Sequence, residues 1–242
     1  MMRLKHLISG EFNRLIKYNL FTASFVVALI WVVVGYFLDQ DEFFEFLPFI
    51  FLMEASAMTA LLIGAEMFFE KKEHTISSML ISPMKESEYI FAKIAANVLN
   101  LFIMFGIIGG SMYFLKDFIF GFHWLAIGII LVTAYYVFIG ILLSYISKDF
   151  TALLLNYMLM MIVLVFPTLL VQVGLLDASW SDYLYWTPTD VSMRLMNASI
   201  VDTVDLVDYL VDCVYIIGLS LIMYRFLVLP YFKVFATKDL GV

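Results

Sequence analysis

The chain has 242 residues, of which 64% are apolar and only 14% charged, with a formal net charge of −7. A soluble domain carries roughly 45–50% apolar and about 25% charged residues, so this composition excludes an ordinary water-soluble globule. Six apolar runs reach the ~20 residues that a spanning helix needs and none alternates like a barrel strand, which predicts an all-α polytopic membrane protein forming a single transmembrane domain over 1–242.

Residues 1–18 come first. Leu4, Leu7, Ile8, Phe12, Leu15 and Ile16 recur at spacings of three and four, and basic residues occupy the remaining face. That is the pattern of an amphipathic helix lying at a membrane interface. The first span, about 19–38, is too long for a signal peptide and lacks a small-x-small cleavage site after Leu38.

The second span, about 47–69, opens at Pro48, a residue suited to a first helical turn. It carries Glu54 and Glu66. Glu54 lies about 10 Å along the axis from Leu47 at 1.5 Å per residue, which is within hydrocarbon depth. An acid there faces a bundle interior or a water-filled cavity. It either borders a pathway or is a protonated side chain hydrogen-bonded to a neighbouring helix. Glu66 reads as interfacial.

The segment 70–88 is polar and interrupts the apolar runs, beginning with Glu70, Lys71, Lys72 and Glu73. Thr75 is placed to cap a short helix in which Ile76, Met79 and Leu80 share one face at i, i+3 and i+4. Pro83 ends it, because the residue before a proline avoids the helical region. Ser87 is placed to cap the third span. An apolar stripe of this kind seeks cover, either in a groove of a partner or on the chain's own inner surface.

The third span, about 89–115, contains Gly106 and Gly110 in a GxxxG spacing that allows close helix approach. The fourth, 122–146, is joined to the fifth, 151–176, by Ser147, Lys148 and Asp149, with Thr151 placed to cap. Pro167 should kink the fifth span, where Asn156 and Gln172 add polar side chains. Glu54, Asn156 and Gln172 are the candidate translocation-path residues. Residues 177–207 hold the interfacial aromatics Trp180, Tyr183, Tyr185 and Trp186, and should form two short helices, the second capped by Asp190. The sixth span covers about 208–232.

Lys and Arg bias sets orientation. With the N-terminus inside, twelve of the 14 fall on the inner side, and only Lys116 and Arg194 on the outer. Both termini are then cytoplasmic, and the acidic residues gather on the outer face. Cys213 is the single cysteine, which excludes an internal disulfide. No GxxxxGK[ST], HExxH or CxxC is present, so neither an ATP cradle nor a metal site is expected. His6, His74 and His123 fall on separate segments, which argues against an intramembrane enzyme. A proton-coupled secondary carrier using Glu54 and Glu66 is the alternative reading.

The stretch EKKEHTISSMLISP, Glu70 to Pro83, resembles the motif of ABC type-2 transporter permeases, roughly E-[KR]-E-x-G-T-[LI]-x-x-[LM]-L-[VI]-[ST]-P. Glu70, Thr75, Ile76, Leu80, Ser82 and Pro83 match. Lys72 stands in place of an acid and His74 in place of glycine, and a left-handed turn at that position is harder for histidine. The six-span layout, the N-terminal amphipathic helix and the Trp-Thr-Pro segment extend the resemblance over the whole chain. The nearest subgroup is the small permeases of fluoroquinolone or multidrug export. The resemblance implies that residues 75–82 form a coupling helix seated on a separate ATPase, which binds ATP and Mg. It also implies two ATPase subunits, a second permease subunit (the same chain or a paralogue), export of a hydrophobic or amphipathic substrate, and residence in the plasma membrane.

Overall fold

The computed structural model describes residues 2–80, 84–116, 121–177, 179–200 and 204–237, and those residues contain helices and no strands. In chain order they form α1 (Met2–Lys17), α2 (Leu20–Phe37), α3 (Gln40–Met53), α4 (Thr59–Lys72), α5 (Thr75–Leu80), α6 (Glu86–Lys116), α7 (Phe122–Ile146), α8 (Phe150–Met160), α9 (Phe166–Gln172), α10 (Trp180–Leu184), α11 (Pro188–Asn197), α12 (Leu206–Met223) and α13 (Leu229–Thr237). Three π-helical turns, Glu54–Met58, Met161–Val165 and Tyr224–Val228, join α3 to α4, α8 to α9 and α12 to α13. Six stretches are long and apolar enough to cross a membrane: Leu20–Phe37, Phe43–Lys72, Glu86–Lys116, Phe122–Ile146, Phe150–Gln172 and Leu206–Thr237.

The second and fourth of these stretches form the centre, 72% and 61% buried, whereas the fifth is only 17% buried and lies at the periphery. Their closeness has a local cause. A Cβ on Gly140 of α7 would sit 2.7 Å from the Ala60 carbonyl oxygen of α4, so only glycine permits this approach. Among the described residues, the GxxxG spacing at Gly106 and Gly110 makes no close contact, since neither has a neighbour within 4 Å of where its Cβ would be. A continuous apolar core runs from Phe43, Leu47 and Phe51 through Phe105, Ile129 and Val132 to Tyr209 and Ile216.

Several local expectations are corrected. Pro48 lies inside α3 and does not open the span, because the helix already begins at Gln40. Thr151 does not cap the fifth span. Asp149 does, accepting from the Ala152 N–H at 2.8 Å, as an acceptor must stand outside the first turn to reach its free N–H groups. For the same reason Thr187 and not Asp190 caps α11, accepting from the Asp190 N–H at 3.3 Å. The third stretch starts at Glu86, and Glu88 accepts from the Lys85 N–H at 2.9 Å, so Ser87 lies inside the helix. Pro167 stands at the start of α9, directly after the π-helical turn that absorbs its missing N–H.

Candidate functional site

Three helices each bring a pair of polar residues, one turn apart, to the same point at the basic end of the bundle. α1 supplies Glu11 and Arg14, α4 supplies Glu66 and Glu70, and α6 supplies Tyr89 and Lys93. Spacings of three and four keep each pair on one helix face. α1 is held there by its apolar stripe: Leu15 is fully buried against a patch that includes Leu62, Ala65 and Ala96. Asn19 then takes a left-handed φ of 59°, which lets the chain turn from α1 into the first span.

Lys93 is fully buried, and its Nζ lies 2.8 Å from Glu11, 3.0 Å from Glu66 and 3.0 Å from Glu70. Arg14 reaches Glu11 at 2.5 Å and Glu70 at 2.8 Å. The Tyr89 hydroxyl donates to Glu70, and its ring lies 4.9 Å from the Lys93 ammonium. Glu66 touches Lys93 at ion-pair distance, yet neither of its oxygens has a hydrogen bond of good geometry. Three carboxyl groups thus share two cations. Burial lowers the affinity of Arg14 for its proton, but Glu11 and Glu70 outweigh it and hold the guanidinium well above its ordinary range. Oxygens of Glu11, Glu66 and Glu70 lie within 4.8 Å of one another, a spacing suited to a cation. The cation that fills it is the Lys93 ammonium.

The cluster leads directly into α5. Glu70 lies one turn before the end of α4, and the chain then reverses at Glu73 and His74. His74 adopts φ 56°, the left-handed conformation, at the position where glycine was expected. It, and not Thr75, is the residue that precedes the first turn of α5; its carbonyl accepts from both the N–H and the hydroxyl of Ser78. Glu73 accepts from Lys17 at 2.6 Å and from Tyr18 at 2.8 Å, so the turn is tied to the end of α1 as well. These two donors hold the Glu73 carboxyl below its ordinary value.

Ile76 is buried in the chain's own core with Met67, Tyr89, Phe232 and Phe235. It therefore anchors α5 to its own chain and is not offered to a partner. Thr75 is half-buried. Met79 and Leu80 lie on α5, while Ser82 and Pro83 lie outside the described residues. Of the four charges read as a loop, Glu70, Lys71 and Lys72 belong to α4. Lys71 lies over the Phe235 ring at 4.5 Å, and Lys72 over Phe68 at 5.2 Å.

Glu66, read as interfacial, is fully buried within the chain and pairs with Lys93 of α6. The three candidate path residues do not converge. Glu54 is buried in the first π-helical turn, with Trp31 as its polar neighbour and no hydrogen bond of good geometry to either carboxylate oxygen. Asn156 donates to Ser147 at 3.0 Å, near the basic end. Gln172 is exposed at the opposite end, beside a cavity of about 390 Å³ that it shares with Asp190 and Arg194. There Arg194 binds Asp212 at 2.7 Å and Asp190 at 2.5 Å, pinning α11 to α12.

Sequence reasoning treated Arg14 and Lys93 only as topology markers and passed over Glu11. A signal was present: Lys93 is a lone cation two turns into an apolar helix, and such a residue demands a partner. A family model described as ABC-2 family transporter protein matches residues 12–229. No curated protein matches the sequence.

Proposed function

The chain belongs to the ABC-2 transporter permease family, and from that premise we propose that it is the transmembrane subunit of an ATP-driven exporter. ATP and Mg act on a separate subunit; the sequence holds no GxxxxGK[ST] cradle for phosphates. Two ATPase subunits and a second permease, either a copy of this chain or a paralogue, complete the transporter. The bias of Lys and Arg supports a plasma-membrane orientation with both termini cytoplasmic.

One observation carries this reading: α5 is joined through a two-residue reversal to the helix whose last turn holds Glu70, in the buried cluster. A partner pressing on α5 moves α4, and through Lys93 and Arg14 it moves α6 and α1 with it. α5 thus serves as the coupling helix. Ile76 fixes it to its own chain, and Thr75, Met79, Leu80, Ser82 and Pro83 are the residues proposed to contact the ATPase. The charges Glu70, Lys71, Lys72 and Glu73 hold the stem. The substrate is a hydrophobic or amphipathic molecule (drug, peptide or lipid-like) passing near Glu54, with Asn156 and Gln172 placed towards the two ends of the path.

The test is a pull-down of the ATPase by the detergent-solubilised chain, comparing wild type with Met79→Asp plus Leu80→Asp. The expected result is loss of the ATPase from a variant that still inserts and folds. Undiminished capture places docking elsewhere. A second reading, a proton-coupled carrier, draws support from Glu54, a buried carboxyl without a hydrogen bond. Proton-driven transport in vesicles without an ATPase, abolished by Glu54→Gln, would favour it.

A further inference from the structure

At the basic half of the bundle, α6, α7 and α12 diverge and leave a groove of about 390 Å³ on the flank. Its walls are apolar, including Ile90, Ile94, Phe138 and Leu221. Ala134 and Ser220 also line it, and their small side chains leave the space open. Ser220 is 8% exposed, and its hydroxyl is buried with no hydrogen-bond partner. A second cavity of about 550 Å³ adjoins the groove and shares Ser87 and Tyr224 with it. This second cavity is mixed in character, with Met84, Leu229 and Phe232 beside the charged Lys85, Glu86 and Lys233. The third π-helical turn begins at Tyr224, where the two meet.

The depths match half of a bilayer. Along α6, Lys85 at the rim and Ile94 at the far wall of the groove are about 14 Å apart at 1.5 Å per residue. Half of the hydrocarbon thickness is about 15 Å. The apolar compartment therefore lies within hydrocarbon, and the lysines lie at headgroup depth. Lys85 and Lys233 are exposed, and Glu86 lies 3.4 Å from Lys233, so the rim keeps a net positive charge. Basic recesses between spanning helices favour anionic lipid headgroups.

We propose that the joined cavities between α6, α7 and α12 bind an anionic phospholipid, one acyl chain in the groove and the phosphate at Lys85 and Lys233. The Ser220 and Tyr224 hydroxyls, one turn apart, offer donors to the ester carbonyl oxygens. A partner helix is the wrong shape for this place: with side chains it is about 10–12 Å across, and the groove is only two turns long. The site needs neither α5 nor an ATPase, so it stands apart from the exporter reading.

The test is native mass spectrometry of the purified full chain in detergent, titrated with phosphatidylglycerol or with phosphatidylcholine of the same acyl chains. Wild type should bind its first phosphatidylglycerol about fivefold or more tightly than phosphatidylcholine, the effect of roughly one net headgroup lysine. Lys85→Gln plus Lys233→Gln should remove that preference, and Glu86→Gln should increase it. Ala134→Leu plus Ser220→Leu should weaken the first binding event for both lipids. The lysine substitutions lie at exposed positions, so the headgroup arm decides the matter even if the groove-filled variant fails to fold. Equal affinity for the two lipids in wild type, or a preference that survives both lysine substitutions, overturns the proposal. So does wild-type binding by a folded groove-filled variant, which reduces the effect to an annular ring of lipid.

Discussion

Replacing Lys93 with methionine keeps the length of the side chain and removes the charge on which three carboxylates converge. Each contact, at 2.8–3.0 Å, represents about 5–6 kcal/mol of gross attraction at an effective dielectric constant near 20. Most of it is offset by the several kcal/mol needed to dehydrate each ion. The net effect of removing one member of a buried ionic group is a loss of about 3–5 kcal/mol, because Glu66 is left without its cation and Glu11 and Glu70 share Arg14 alone. At about 2–4 °C per kcal/mol for a chain of this size, Lys93→Met should lower the melting temperature in detergent by roughly 6–20 °C. Glu66→Gln is the informative companion. It keeps the shape of the one carboxyl with no hydrogen bond of good geometry and leaves Lys93 with Glu11 and Glu70, so it should melt within about 3 °C of wild type or above it. The double variant should recover part of the Lys93→Met loss, and the coupling between contacting groups should exceed about 0.5 kcal/mol. Thermal melts followed by size-exclusion fluorescence measure all four proteins. A Lys93→Met protein that melts with wild type, or a Glu66→Gln protein that falls as far as Lys93→Met, refutes the argument.

His74→Gly should raise the melting temperature by about 2–3 °C. It relieves the roughly 1–2 kcal/mol cost of a left-handed residue, less the about 0.5–1 kcal/mol of extra freedom glycine has when unfolded; a lower melting temperature would contradict the strain at φ 56°. Gly140→Ala places a methyl group 2.7 Å from the Ala60 carbonyl oxygen and should destabilise by about 1–3 kcal/mol, as overpacking does. Gly106→Ala, in mid-helix with nothing within 4 Å, should instead stabilise by about 0.5–1 kcal/mol in the same melt. The tie from Glu73 to Lys17 and Tyr18 depends on pH with a definite sign. A carboxyl held below its ordinary 4.5 contributes in full above that value and loses its contribution as pH falls through the lower folded value. Amide protection across the 73–78 turn, taken relative to the intrinsic exchange rate at each pH, should therefore fall below about pH 4.5 in wild type, and Glu73→Gln should remove that dependence.

The residues of the second span show how far local pattern carries. Glu66 and Glu70 are plainly an i, i+4 pair in the sequence, yet their burial depends on Lys93 at a separation of 23 residues from Glu70 and on Arg14 at 56. Those distances along the chain are closed only when α1 and α6 take particular rotations about their axes. The same holds for glycine: Gly106 and Gly110 have the spacing of a packing motif, but among the described residues nothing lies within 4 Å of either Cβ position. Gly140, without a motif, carries the close approach. The left-handed turn at His74 was legible because the motif places a glycine there, and the backbone requires the same φ whichever residue fills it. The caps were misplaced by a few residues, since Ser, Thr and Asp cluster near every helix start and only the geometry selects which oxygen reaches the free N–H groups.

By itself the sequence determined that the chain is helical, that it crosses a membrane six times and that its basic residues gather at one end. Those properties follow from sums over neighbouring residues, hydropathy and charge, and the bilayer responds to the sums. Only the tertiary structure decided that Glu11, Glu66, Glu70 and Lys93 share one site, that Glu54 stands apart from Asn156 and Gln172, and that a groove opens beside Ser220. Each of these depends on which faces of distant helices turn towards one another, and that is settled by packing across the whole bundle.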